Sequence, residues 1–193
     1  MAENLTLDRQ STAVLAMDFQ NSIVDNTPDR EALLEREGRL LAAARAAGVR
    51  VIYIVVGFRP GFPEVSPRNQ IFGAISQSGR FGPDDTSTQI HAAVAPAAGE
   101  VVVTKHRVGG FLGTDLDMIL RAHGIDTLVL TGIATSGVVL STLRYAADAD
   151  YRLVVARDCC ADRDPEVHRV LLDKVFPRQA IVTGADEVIA ALR

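Results

Sequence analysis

The sequence predicts an α/β domain of the doubly wound, Rossmann-like type, with a mainly parallel sheet of about six strands flanked by helices. Three observations carry this prediction. Short β-branched runs such as Val51–Val56 (VIYIVV) are apolar on both faces, as strands covered by helices on both sides must be. Between such runs lie longer stretches with apolar residues at helical spacing, closed by glycine. Finally, Thr131–Thr142 (TGIATSGVVLST) passes from an apolar run through Gly132 into a helical pattern, the strand–turn–helix step of such a sheet.

Taken in order, Thr12–Met17 (TAVLAM) is a buried first strand ending on Asp18. After the segment Phe19–Pro28, Asp29–Ala47 is an amphipathic helix, with Leu33, Leu40, Leu41 and Ala44 on one face and Gly48 at its stop. Val51–Val56 is the second strand. Phe58–Thr88 breaks the rhythm with Pro60, Pro63, Pro67 and Pro83, and leaves room for one brief helix around Ile71–Ile75. A segment this long inside a compact domain reads as a lid or an oligomer contact. Gln89–Val94 is a short helix, and Val101–Thr104 a third strand that delivers Lys105. Gly109, Gly110 and Gly113 loosen the loop around Phe111, and Thr114 caps a helix through Leu116, Ile119 and Leu120 that Gly124 ends. Thr127–Thr131 is the fourth strand, followed by a helix from Ser136 to about Ala149. Leu153–Ala156 is the fifth strand, Pro165–Val175 a helix with Asp164 as N-cap, Ala180–Val182 a closing strand and Ala185–Leu192 a terminal helix.

At 193 residues the chain suffices for one well-buried core and is short for two, so a single domain over 1–193 is expected. Its 48% hydrophobic and 23% charged content excludes a disordered chain. With 20 basic against 24 acidic residues and no basic run, a nucleic-acid or anionic membrane surface is excluded, and the expected partner is a small molecule. No apolar run is long enough to span a bilayer, and Asn4, Asp8, Arg9 and Gln10 interrupt the start, so a cytoplasmic location is expected. Cys159 and Cys160 are adjacent, cannot staple a loop, and read as small hydrophobes at the end of strand five.

Asp18 closes strand one, Lys105 closes strand three, and the turn Ala134–Val138 follows strand four. Parallel strands all point one way, so these three ends share one rim. Singly, Asp18 reads as a turn cap and Lys105 as a surface charge. Together they are a carboxylate beside an ammonium, facing a nest of backbone amides, which suits a carbonyl or an anionic leaving group. His91, His106, His123 and His168 lack ligand-like spacing, so no metal and no cofactor is expected. His123 and His168 read as solvated helix residues, and His106, next to Lys105, stays a candidate. Arg59, Arg68 and Arg107 have the chemistry to hold a carboxylate and read as solvated arginines.

Four stretches in this order resemble the isochorismatase-like hydrolases of the cysteine hydrolase superfamily: AVLAMDFQN at Ala13–Asn21, KHRVGGFLGTDL at Lys105–Leu116, TGIATSGVVLST, and RDCCADRDPEVH at Arg157–His168. The resemblance covers nearly the whole chain and implies the same doubly wound fold. In the family's cysteine hydrolases an Asp, Lys and Cys triad attacks an amide carbonyl. The resemblance implies Asp18 and Lys105 as the catalytic pair and puts Val138 at the nucleophile's position, where no thiol exists. It also implies oxyanion-type amides at Ala134 and Val138, and a cis peptide bond between Ile133 and Ala134. Substrate contacts are implied from Gln20, Phe111, Ile133, Ala134, Thr135, Ser136 and Gly137. Metal-binding relatives carry Asp-x-His after the second strand, where this chain has Phe58-Arg59-Pro60. Relatives form dimers or larger assemblies, so a homo-oligomer that orders Phe58–Thr88 is implied.

Three readings stay open at this point. The first is an enzyme without thiol chemistry, cleaving a vinyl ether as true isochorismatases do, with Asp18 as general acid. The second is a pseudoenzyme or binding protein that keeps the pocket, and the third is amide hydrolysis by water held at Asp18.

Overall fold

The computed structural model describes residues 5–192. The expectation of one domain over 1–193 and the reading of Asn4 extend outside the described residues. Strands β1 (Thr12–Met17), β2 (Arg50–Val56), β3 (Val101–Lys105), β4 (Thr127–Ile133), β5 (Arg152–Ala161) and β6 (Ile181–Thr183) form one parallel sheet in the order β3-β2-β1-β4-β5-β6. Seven α-helices flank it among the described residues: α1 (Asn21–Val24), α2 (Arg30–Ala46), α3 (Gln70–Ser78), α4 (Leu116–Ala122), α5 (Leu140–Asp148), α6 (Pro165–Val170) and α7 (Ala185–Ala191). The strand order runs outward in both directions from the β1–β4 pair, so a crevice opens where those two strands end.

The sheet separates two cores. On one side α4 and α5 bury Leu116, Leu120, Leu143 and Ala146 against Leu15, Leu128 and Leu130. On the other, α2 and α7 bury Leu40, Leu41, Ala44 and Val188 against Val14, Val129 and Val154. Each fully buried leucine stabilises the fold by about 1.5–3 kcal/mol over an exposed one. Gly48 ends α2 in the left-handed region at φ 74°, where a side chain would be strained. Gly132 is required for a different reason: a Cβ there would lie 2.6 Å from the Met17 carbonyl oxygen, so β4 comes this close to β1 only without a side chain.

A carboxyl group sits inside the α2 core. Glu37 falls on the same helix face as Leu33, Leu40 and Ala44, and is fully buried. Its Oε1 is 2.9 Å from Thr131 Oγ1, which also lies 3.1 Å from the Leu15 carbonyl oxygen. A hydroxyl has one proton, so if Thr131 donates to Leu15 then Glu37 must donate to Thr131, which requires a protonated carboxyl. Burial pushes Glu37 up to about 8, with the Thr131 and Cys159 side chains acting the other way.

Several elements differ from expectation, each for a local reason. Phe19–Pro28 holds the short helix α1. Gln89–Val94 yields only the turn Ala92–Val94, closed off by Pro96. The Thr114 hydroxyl accepts from Leu116 N–H at 3.3 Å, but Asp115 occupies the cap position of α4. The helix expected from Ser136 begins as a wide turn, Thr135–Val139, with Val139 N–H donating five residues back to the Ala134 carbonyl. Pro165–Val175 is likewise α-helical only to Val170, after which a wide turn and Pro177 redirect the chain. Strand β5 runs on to Ala161, because a register shift between Leu130 and Gly132 lets it bulge and resume pairing at Cys160. Adjacent residues on a strand face opposite ways, so Cys159 enters the α2 core and Cys160 the α5 core.

The 58–88 segment is ordered around Phe58, Phe72 and Phe81, a third apolar cluster joined by Val56. The Phe58 and Phe72 rings meet edge to face at 5.5 Å, Phe58 N–H donates to the Phe81 carbonyl at 2.8 Å, and Asn69 caps α3. No helix among the described residues is long and apolar enough to cross a membrane.

Candidate active site

Strand ends from both halves of the sheet meet at the crevice. Asp18 follows β1 in the left-handed region, φ 59°, and its N–H donates to the Ile54 carbonyl of β2 at 2.8 Å. Lys105 closes β3, and its Nζ lies 3.0 Å from Asp18 Oδ2 and 3.1 Å from the Arg107 carbonyl. Both residues are closed off, at 5% and 2% exposure. The other carboxyl oxygen, Asp18 Oδ1, is buried with no hydrogen-bond partner. Burial raises the Asp18 pKa, and Lys105 acts against the rise without cancelling it.

The turn after β4 forms a second wall on the rim, beside a cleft whose lining includes neither Asp18 nor Lys105. The Ile133–Ala134 peptide bond is cis. Ser136 N–H donates to Asp162 Oδ2 at 2.7 Å, and the buried Thr135 hydroxyl sits 2.8 Å from His168 Nδ1. His168 is therefore not a solvated helix residue: α6 turns it inward onto the wall, and burial together with Arg157 lowers its pKa, opposed by Asp162 and Asp173. Val138 is buried, packed in the α5 core. A Cβ on Gly137 would meet Ala134 Cβ at 3.8 Å and Val108 Cγ1 at 3.9 Å. Beside this wall opens a cleft of about 370 Å³, lined among others by Ile133, Ala134, Ser136, Asp162, Arg80 and Arg163. Neither arginine forms an ion pair among the described residues.

The Isochorismatase domain profile matches residues 12–187, most of the chain and every element of this site. The chain belongs to the isochorismatase family. It is 33% identical over 193 residues to the isochorismatase family protein YecD of Escherichia coli O157:H7, covering 97% of this chain and 100% of that one. It is 32% identical to the ureidoacrylate amidohydrolase RutB of Methylobacterium radiotolerans, covering 90% of this chain and 76% of the relative. An isochorismatase family structure from Burkholderia thailandensis superposes with a TM-score of 0.85 at 32% identity, covering 97% of both chains. Hydrolases, amidohydrolases among them, are thus the company this family member keeps.

Within this isochorismatase-family fold, Asp18 and Lys105 are in contact, and Ile133, Ala134 and Ser136 border the cleft. Thr135 is turned onto His168. Gln20 spends both amide donors on the Val56 and Thr88 carbonyls, and Phe111 stacks on Tyr145 with ring centroids 4.5 Å apart. His106 Nδ1 is 2.5 Å from the Gly57 carbonyl. Arg59 is a solvated arginine, 67% exposed, that pairs with Glu64, whereas Arg107 is half-buried and donates to the His106 and Glu64 carbonyls. No cluster of potential metal ligands occurs among the described residues. Sequence reasoning missed Asp162, Arg163, His168 and Arg80. Ending the fifth strand at Ala156 hid the first three; an end at Ala161 puts Asp162 on the rim with Asp18 and Lys105. Nothing in the sequence singles out Arg80.

Proposed function

We propose that this isochorismatase-family protein is a hydrolase of small carboxylate-bearing molecules that works without a thiol nucleophile. Asp18 is its proton-transfer group, with Lys105 beside it. One observation carries the reading: a buried carboxyl with a free oxygen, a raised pKa and an ammonium at 3.0 Å. Such a group is held ready to give a proton and to take one back. In the proposed step on a vinyl ether, Oδ1–H protonates the terminal vinyl carbon, water adds to the oxygen-bearing carbon and gives its surplus proton back to Asp18, and the hemiketal so formed splits into a ketone and the free alcohol. On an amide the order is reversed: ionised Asp18 takes a proton from water as it adds to the carbonyl carbon, and then gives that proton to the nitrogen as the C–N bond breaks.

Two further features support the absence of thiol chemistry. By its resemblance to the family, the stretch TGIATSGVVLST puts the nucleophile's position on Val138, a side chain that can neither attack nor ionise. Cys159 and Cys160 are buried, and burial pushes both thiols far above the range in which a thiolate forms. Arg80 and Arg163 supply the charge for a carboxylate in the 370 Å³ cleft. The ureidoacrylate amidohydrolase relative acts, by its name, on a molecule of that kind.

The test pairs a panel of isochorismate and small carboxylated amides with Asp18→Asn. The wild type is expected to deplete a panel member, and the variant to lose about 10²–10⁴ of the rate while still binding. A variant as active as the wild type would remove Asp18 from the mechanism. The closed state of the pair favours a second reading, a binding protein without turnover. Thermal stabilisation by a panel member with no depletion would select it.

A further inference from the structure

We propose that Gln20 is the positioning residue that fastens the 58–88 strap beside the rim carrying Asp18 and Lys105, a single side chain gripping both ends of it. Val56 leads into the strap and Thr88 closes it. The Gln20 amide nitrogen has two protons; one goes to the Val56 carbonyl at 2.9 Å and the other to the Thr88 carbonyl at 2.7 Å. Its oxygen accepts from Val56 N–H at 2.9 Å. The three bonds also fix the amide's orientation, since a flipped amide would set oxygen against two carbonyls and N–H against N–H. The side chain is 1% exposed, so no water substitutes for a lost bond at low cost.

The neighbouring backbone completes the fastening: Asn21 N–H donates to the Gln89 carbonyl and His91 N–H to the Phe19 carbonyl, at 2.9 and 2.8 Å. The strap's aromatic cluster rests on Ile23 of α1, just after Asp18, and on Val108 of the loop that follows Lys105. Asp18, Phe19 and Gln20 thus do three jobs in succession: proton-transfer group, core plug, and clamp for the segment alongside. This role holds whichever bond the protein cleaves, because it concerns the strap and not the chemistry.

Hydrogen exchange measured by mass spectrometry on the full chain tests it, with wild type as the reference at each pH. Gln20→Met keeps the shape and removes all three bonds. Its peptides from 57–89 are expected to exchange at least about tenfold faster, while β1 and β4 peptides are unchanged. Gln20→Glu gives a conditional clamp. Protonated, near pH 5, the carboxyl donates to one of the two carbonyls; ionised, near pH 8, it repels both. Its strap should exchange at a rate between wild type and Gln20→Met at the lower pH, and at least as fast as Gln20→Met at the higher. Asp18, two residues away, has a raised pKa, and the wild-type reference at each pH subtracts its effect. A strap that stays protected in Gln20→Met, exchange that rises equally in β1 and β4, or a Gln20→Glu strap that ignores pH would each overturn the proposal. If Gln20→Met does not fold, Gln20→Glu at the two pH values decides alone.

Discussion

At Asp18 the chain buries a carboxyl, sets Lys105 against one oxygen and leaves the other unpartnered, an arrangement that costs stability on its own. An unsatisfied buried acceptor costs about 1–3 kcal/mol, and a buried ion pair seldom recovers its own desolvation. Lys105 is the main influence lowering the Asp18 pKa against burial, so Lys105→Met should move the Asp18 titration to higher pH. Carboxyl-carbon NMR on the two proteins reads this directly, and an unchanged or lower midpoint would break the pairing. Asp18→Asn and Lys105→Met should also be less harmful together than their separate costs sum to, by about 1–3 kcal/mol in a denaturant-melt cycle. The pair was legible in the sequence because each member ends a recognisable strand. The contact between Thr135 and His168 was not, since 33 positions separate the two and the intervening strand bulges. Glu37 did carry a signal: a carboxylate on the apolar stripe of an amphipathic helix.

One element down the rim, the wide turn Thr135–Val139 depends on its neighbour strand. Asp162, just past β5, accepts from Ser136 N–H as an N-cap would, and so places a negative charge where the turn's amides converge. Asp162→Ala should cost about 1 kcal/mol in thermal or denaturant stability and speed amide exchange in residues 134–140. Exchange unchanged in that stretch would show that the turn stands without this carboxylate. Element order, strand polarity and the strap were all legible from hydrophobic runs and proline spacing. The extension of β5 was not, because Arg157 and Asp158 interrupt the apolar run, and only the structure shows what they hold: Asp158 accepts from Ala185 N–H, and Arg157 pairs with Asp173.

For the molecule as a whole, Glu37 ties stability to pH. Its ordinary value of 4.5 rises to about 8 in the fold. Between these values the unfolded chain has released a proton that the folded chain retains, so the contribution of Glu37 to stability is fully present below about pH 4.5 and is lost as pH rises towards 8. The whole effect is at most about 4–5 kcal/mol, less where water or neighbours relax around the charge. Glu37→Gln keeps a donor to Thr131 and cannot ionise, so its melting temperature should fall less between pH 5 and 8.5 than that of the wild type. Parallel melting curves would mean that Glu37 is already ionised inside the core. Asp85, Asp117 and Glu100 are shifted the opposite way and act at the acid end, where their protonation removes stability.

The two thiols side by side in β5 have one more use. Because Cys159 belongs to the layer under α2 and Cys160 to the layer under α5, each is a chemical clock for its own side of the sheet. A millisecond pulse of alkylating reagent during unfolding, followed by fragment sequencing, would show which thiol is marked first. Two adjacent letters of the chain thereby record the order in which its two cores come apart.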